Sequence, residues 1–313
     1  SYALSLSDQY WFHPIEDMVE WKDVNFFTND FDYLEFANAV FSEKSSISRR
    51  LSNSPNYSTG GMVKKAWIIE KDGSRTLLKG GYKKSHQEPF NEILASEISE
   101  ALGIEHTTYY LKQVGDQIVS ACASFIDENT ELIPASDIFF LEKKDNQQND
   151  YNFYVSILEN KGITNAREQI ENMLVIDYIM LNEDRHLRNF GVIRNVETLD
   201  WIKVAPIYDT GQSLQSQTDY FEMNFNSGNG KFFTNLKESY ENIIRNVDDL
   251  ERFDFSILDE VIDTWKSKMM KCNKVCPMSI ERIDRIVEGV KLRVEKIIEL
   301  QKDIVKQHDD MIN

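Results

Sequence analysis

The chain has 313 residues, of which 41% are hydrophobic, enough to bury one large two-lobed domain or two smaller ones. Its formal net charge of -17 disfavours binding to DNA or to an anionic membrane by charge alone. Three cysteines form no evident disulfide framework, a count typical of a reducing compartment.

The first residues, SYALSLSDQYW, have neither a basic start nor a long apolar stretch, so we expect no secretory signal. No run of about 18 apolar residues predicts a membrane span. We therefore expect a cytoplasmic protein that contacts neither membrane nor nucleic acid directly. Residues 1–55 are rich in aromatic side chains, and we interpret them as an N-terminal extension packed on the body.

The next part of the chain predicts two β-hairpins separated by a helix. The first hairpin lies between residues 66 and 80 and turns at an Asp-Gly pair. Pro89 begins a helix that ends just before Gly103. The second hairpin follows, with a Gly-Asp turn. The predicted order is therefore strand, strand, helix, strand, strand.

After about residue 130 the pattern becomes mainly helical. Apolar side chains repeat at helical spacing over residues 168–181, 257–270 and 280–301. The stretches VIRN and WIKVAPIY predict two short strands. Residues 212–233 are polar and rich in Gly and Asn, which predicts a mobile segment.

The stretch LNEDRHLRNFGVI begins at residue 181, and an Asp-Thr-Gly triplet follows at Asp209. Asp184, Asn189 and Asp209 thus have the order and rough spacing of a phosphoryl-transfer site. One carboxylate can take a proton from a hydroxyl, while an amide and a second carboxylate can hold Mg²⁺ on phosphates. Each residue alone is better read as part of a helix end or a turn, but together they indicate function.

This stretch resembles the signature of the HipA-like serine/threonine kinases, DRHxxNxG followed by A-P-[IL]-[YF]-D, here DRHLRNFG and APIYD. The DRHxxN loop also occurs in phosphoinositide kinases. The resemblance covers roughly residues 56 to 310. It implies an α+β, two-lobed protein-kinase-like fold, with a small β-rich N-lobe at residues 56–127 and a larger helical C-lobe at residues 128–313.

The resemblance implies a role for each matching residue. Asp184 would orient and deprotonate the acceptor hydroxyl, and Asn189 and Asp209 would hold Mg²⁺. Lys79 would bind the α- and β-phosphates of ATP, although a lysine after a strand is usually a solvated surface residue. Glu92, thirteen residues further along, would pair with Lys79 and fix its direction.

Other acidic residues on the same predicted helix are alternatives to Glu92. They are Glu88 and Glu97, of which Glu97 would point to a different helix face.

The sequence STGGMVKK resembles the family's phosphate loop, S-x-x-G-x-x-x-K, with Ser58, Gly61 and Lys65 at the matching positions. Gly60 and Gly61 would let backbone N–H groups approach phosphates, although a Gly-Gly pair alone usually marks a simple turn. Residues 60–85 carry seven basic and two acidic side chains, a local charge of +5 that suits a triphosphate or is a solvated basic face.

Three further expectations come from the resemblance. Backbone groups at Cys122 and Ser124 would contact the adenine. His186 would either contact the nucleotide or tie the loop to the core, and Arg185 has the same two readings. Ser58 would be autophosphorylated. The triplet Asp-Thr-Gly lacks the phenylalanine of eukaryotic kinases, so their phenylalanine switch is not expected.

The sequence thus predicts an ATP- and Mg²⁺-dependent kinase that transfers the γ-phosphoryl group to Ser or Thr of a protein. One alternative is a kinase for a small molecule or a phosphoinositide-like headgroup. Another is a nucleotide-binding, toxin-like scaffold without turnover. The expected partners are ATP, a protein substrate and a small partner or antitoxin protein.

Overall fold

The computed structural model describes residues 2–41, 54–55, 63–82, 85–145, 147–234, 236–272 and 278–312. The first part of the chain forms, in order, α1 (Trp21–Val24), α2 (Leu34–Phe41), β1 (Lys65–Ile69), β2 (Arg75–Lys79), α3 (Glu88–Ala101), β3 (Tyr109–Val114) and β4 (Gln117–Ala123). The second part forms β5 (Thr130–Pro134), α4 (Ala135–Ile138), α5 (Asp150–Asn160), α6 (Ala166–Met180), β6 (Gly191–Asn195), β7 (Trp201–Val204), β8 (Asn229–Lys231), β9 (Lys237–Ser239), α7 (Tyr240–Ile243), α8 (Leu258–Lys271) and α9 (Ile280–Ile312).

The N-terminal lobe is an antiparallel sheet of order β1-β2-β4-β3 with α3 packed against it. The predicted order of strand, strand, helix, strand, strand is confirmed. Both hairpins pair antiparallel strands across a short polar turn, and in the first of them buried and half-buried residues alternate. Lys79, the last residue of β2, lies opposite Ser120 of the central strand β4, so its side chain is delivered at a defined register.

The C-terminal lobe is built around α6, most of whose residues are buried, and around α8 and α9, which pack against each other. Trp265 of α8 is fully buried, and its indole N–H donates to Phe90 O of α3 at 3.1 Å. A single apolar core therefore continues from the helix of the small lobe into the large lobe. This continuity fixes α3 relative to the C-lobe.

A second antiparallel sheet, of order β5-β6-β7, lies beside the connection between the lobes. The strands β6 and β7 were predicted, but β5 and α5 were not. The segment that forms β5, TELIP, has no hairpin partner next to it in sequence, since it pairs with β6 about sixty residues later. Its strand character comes from this long-range pairing rather than from a local pattern.

The N-terminal segment contacts both lobes. Buried side chains such as Leu4 and Phe26 pack in one cluster with residues from both sheets. The guanidinium of Arg75 in β2 donates to Phe26 O at 2.9 Å, and Leu132 N of β5 donates to Ser7 O at 3.2 Å. The aromatic-rich extension therefore lies across the junction of the lobes.

Residues 212–233, predicted to be mobile, are held to the C-lobe by buried apolar side chains, namely Leu214, Met223, Phe225 and Phe233. In the described part of the chain, no helix has both the length and the apolar character needed to span a bilayer.

Gly191, the glycine of the DRHLRNFG stretch, has a packing role. A Cβ atom at this residue would lie 2.1 Å from Ile133 O of the neighbouring strand β5. We expect Gly191→Ala to lower the free energy of unfolding by about 1–3 kcal/mol, the usual cost of overpacking, because backbone must move to relieve the clash. Chemical denaturation measures this loss, and an unchanged midpoint would contradict the expectation.

Candidate active site

Lys79 is the centre of a buried charged cluster between the lobes. Its ammonium group lies 2.9 Å from Glu92 Oε1, 3.0 Å from Asp209 Oδ1 and 3.0 Å from the hydroxyl of Tyr109. Glu92 comes from α3, Asp209 from the segment after β7, and Tyr109 from β3. Three separate parts of the fold therefore meet at one lysine.

Among the acidic residues of α3, Glu92 is the one that pairs with Lys79. The second oxygen of Glu92 accepts hydrogen bonds from Thr210 N at 2.9 Å and from Thr210 Oγ1 at 2.7 Å. The alternatives lie elsewhere: Glu88 accepts from Tyr82 N at 3.1 Å, and Glu97 pairs with Lys268 at the surface. Glu92 thus links the lysine of the small lobe to the Asp-Thr-Gly triplet.

Lys79 and Asp209 both remain charged within the cluster. Burial opposes ionisation of Lys79, but Asp209 and Glu92 outweigh it, and the pKa of Lys79 lies well above its ordinary value. Burial likewise opposes ionisation of Asp209, yet Lys79 and Lys65 hold the pKa of this carboxyl well below its ordinary value. The ammonium of Lys65 is 3.9 Å from Asp209 Oδ2. At neutral pH Lys79 and Asp209 are therefore both ionised.

The loop after α6 carries Asp184 and Asn189. Asp184 N donates to the side chain of Asn182 at 3.1 Å, and the Asn189 amide donates to Asp184 O at 2.9 Å. These bonds close the loop on itself and leave the Asp184 carboxylate partly exposed.

Arg185 anchors the loop of Asp184 and Asn189 to helix α6. Its guanidinium makes a two-point contact with Asp177 of α6, at 2.8 and 2.9 Å, and both side chains are almost fully buried. The remaining nitrogen donates to Asn189 O and to Tyr208 O, each at 2.6 Å. Arg185 therefore ties the loop of Asp184 and Asn189 to the residue that precedes Asp209. The sequence left two readings for Arg185, and these contacts are those of a structural clamp.

His186 lies beside Asp184. Its Nδ1 accepts a hydrogen bond from Arg188 N at 3.1 Å, so the neutral ring carries its proton on Nε2, which lies 3.8 Å from Asp184 Oδ2. Burial lowers the pKa of His186 more than Asp184 raises it. The imidazole is therefore neutral near physiological pH.

Asn189 and Asp209 are suited to Mg²⁺. Because the Asn189 amide nitrogen donates to Asp184 O, the amide is oriented, and its oxygen could serve as a metal ligand. Asp209 has a left-handed φ of 56° and keeps an ionised, partly exposed carboxylate. Mg²⁺ prefers such oxygen ligands and typically takes only one or two carboxylates from a protein, with phosphates supplying others.

The other predicted nucleotide contacts are placed as follows. Ser58, Gly60 and Gly61 lie outside the described residues, and Lys65 lies in β1 close to Asp209. Cys122 is buried in β4, where burial raises the pKa of its thiol to about 11. Ser124 N donates to Arg75 O at 2.8 Å, and Ser124 Oγ donates to Ile126 O at 2.8 Å. The backbone N–H and the hydroxyl of Ser124 therefore both form hydrogen bonds within the protein. The contact of Cys122 and Ser124 with adenine stays a prediction.

Two residues at the site were missed by sequence reasoning. Tyr109 contacts Lys79, but β3 begins with two tyrosines, so the sequence does not indicate which of them faces inward. Lys231 of β8 lies 2.6 Å from Asp184 Oδ1. A lysine in a polar segment gives no sequence signal of such a contact.

The fold is similar to that of a known kinase. The crystal structure of a Helicobacter pylori proinflammatory kinase, CtkA, matches with a TM-score of 0.59 and 19% identity, over 78% of this chain and 95% of that chain. A Shewanella oneidensis HipA, in a structure with HipB and operator DNA, matches with a TM-score of 0.46 and 12% identity, over 83% of this chain and 69% of that chain. The first match confirms the predicted two-lobed, kinase-like fold.

The family is identified by the sequence of the whole central region. The HipA-like C-terminal domain matches residues 57–271, which is more than half of the chain. The chain therefore belongs to this family of kinase-like proteins, as the sequence predicted. A curated relative, the serine/threonine-protein kinase CtkA of Helicobacter pylori strain J99, is 30% identical over 139 residues. That alignment covers 42% of this chain and 42% of the relative, so less than half of the relative's length is matched.

The contact between Asp177 and Arg185 predicts a large effect on stability. Asp177→Asn leaves a buried guanidinium without its charged partner, and we expect a loss of about 3–5 kcal/mol in the free energy of unfolding. The control is Glu183→Gln, which breaks an ion pair with Lys237 whose side chains are 43% and 53% exposed and should cost at most about 1 kcal/mol. Denaturant titration compares the two variants, and equal losses would contradict the clamp.

Proposed function

We propose that this protein is an ATP- and Mg²⁺-dependent kinase that transfers the γ-phosphoryl group to a serine or threonine hydroxyl of a protein. The observation that carries the proposal is the meeting of the Lys79 cluster with the loop of Asp184 and Asn189, joined by Arg185. Membership in the HipA-like family supports the reaction class. The 30% identity to a serine/threonine kinase supports the choice of acceptor.

Each group has a task in this reaction. Lys79, held by Glu92, would bind phosphate oxygens of ATP. Asp184 would accept a hydrogen bond from the acceptor hydroxyl and take its proton. Asn189 and Asp209 would hold Mg²⁺, which neutralises charge on the phosphates when it is bound. Transfer depends mainly on positioning and charge stabilisation, so rigid loops are the main requirement.

The catalytic assignment is tested with Asp184→Ala. We expect phosphoryl transfer to fall about 10²–10⁴-fold, because a positioned base is lost, while ATP binding persists. The measurement combines transfer of label from [γ-³²P]ATP to added protein acceptors with calorimetric titration of ATP. Asp200→Ala, an exposed carboxylate in the turn between β6 and β7, serves as the control. Wild-type rates in the Asp184 variant would refute the assignment, and label in a small-molecule fraction would favour a metabolite or lipid-headgroup kinase.

Autophosphorylation of the phosphate loop is also proposed, from the match of Ser58 to the family's loop. Incubation of the wild-type protein with Mg-ATP should add phosphate at Ser58 and reduce activity, as seen by intact mass and peptide mapping. Neither Ser58→Ala nor Asp184→Ala should gain this phosphate. Phosphate found only outside residues 42–59 would contradict the proposal.

A partner protein is the remaining part of the proposal. The HipA neighbour is in a complex with HipB and operator DNA. A small antitoxin-like partner for this chain rests on the family resemblance alone.

A further inference from the structure

Lys231 is a cation at the catalytic carboxylate that the sequence motif does not include. Its ammonium group lies 2.6 Å from Asp184 Oδ1, and the two side chains are 24% and 37% exposed. Lys231 ends β8, in the segment that follows the Asp-Thr-Gly triplet. It is therefore brought to Asp184 from a different part of the C-lobe than the other site residues.

The hairpin of β8 and β9 is held to the loop of Asp184 at successive residues. Lys237 of β9 pairs with Glu183 at 3.0 Å, and the hydroxyl of Tyr240 donates to Asn182 O. The hairpin also packs closely on Tyr240, since a Cβ at Gly230 would lie 2.5 Å from its hydroxyl oxygen. The position of Lys231 is thus built into the fold rather than being that of a free surface lysine.

Two aspartates at the site are each paired with a lysine. Asp209 is paired with Lys79 and lies near Lys65, while Asp184 is paired with Lys231. Only Oδ1 of Asp184 contacts Lys231, and the 3.8 Å from Oδ2 to His186 Nε2 is too long for a hydrogen bond. Oδ2 can therefore accept the hydrogen bond of an acceptor hydroxyl while Lys231 stays in place.

We propose that Lys231 is a catalytic residue that donates hydrogen bonds to the transferring phosphoryl group. This inference rests on the proposed kinase function. A hydroxyl bonded to Asp184 must lie about 3–3.5 Å from the phosphorus that it attacks. The phosphoryl oxygens therefore come within reach of an ammonium group that contacts the same carboxylate. An ammonium has three donors, so Lys231 can keep Asp184 and still bind a phosphoryl oxygen.

The step balances without a further reactant. The hydroxyl oxygen forms a bond to the γ-phosphorus, and the bond from phosphorus to the bridging oxygen breaks, leaving its electron pair on ADP. The hydroxyl proton passes to Asp184 and then to solvent. Lys231 keeps its proton throughout and stabilises the negative charge that the transition state spreads over the three equatorial oxygens.

The test compares Lys231→Met with Lys237→Met, a change of the same kind on the same hairpin. We expect Lys231→Met to lower kcat about 10²–10³-fold, the usual effect of losing one preorganised donor. It should also reduce the preference for ATP over ADP in calorimetric titration, because only ATP has the γ-phosphoryl group. Lys237→Met should stay within about two-fold of wild type on both measures, because its ion pair is exposed. Lys231→Arg, which keeps the charge, should recover part of the rate.

The outcomes separate the two proposals. Wild-type kcat and an unchanged ATP-to-ADP affinity ratio in folded Lys231→Met would overturn the role of Lys231 and leave the kinase function standing. Equal losses in the Lys231 and Lys237 variants would also overturn it, since they would mean that only hairpin placement matters. If the wild-type protein binds ATP but transfers no phosphoryl group, the proposed function fails, and the affinity ratio still decides whether Lys231 contacts the γ-phosphoryl group.

Discussion

The geometry of the site depends on the buried contact of Arg185 with Asp177. A buried ion pair is costly unless its hydrogen bonds are satisfied. Here the carboxylate takes two donors of the guanidinium, and a third nitrogen serves two backbone carbonyls. Those carbonyls belong to residues in the two loops that carry the proposed metal ligands. One side chain therefore couples the loops to α6 at the centre of the C-lobe, and loss of the pair would be felt in both loops at once.

The electrostatics of the site differ from those of the chain as a whole. The protein has a net charge of -17, yet the carboxylates of Glu92, Asp184 and Asp209 are each matched by a lysine. In the proposed reaction the phosphates of the nucleotide would bind Lys79, and Mg²⁺ would supply positive charge to Asp209. The carboxylates of the cleft are thus paired with lysines in the absence of a ligand.

Features that depend on residues close together in the sequence could be predicted, and features that depend on distant residues could not. The hairpin around residues 66–80 was predictable because its turn residues lie within a short window, whereas the pairing of Lys79 with Glu92 was predicted from the family resemblance. The strand β5 and the contact of Lys231 with Asp184 were not, because each depends on residues about fifty to sixty positions away. Arg185 is part of the sequence motif, but its role could not be predicted, because its partner Asp177 lies outside the motif in the preceding helix.

The N-terminal segment has a consequence for lobe motion. It is bonded to β2 of the small lobe through Arg75 and to β5 of the large lobe through Leu132. A rotation of the lobes that opens the cleft would therefore have to break these hydrogen bonds or shear the apolar contacts of the segment. Residues outside the family-matched region therefore contribute to the resistance against such a rotation, and they are separate from the Lys79 cluster and the loop of Asp184.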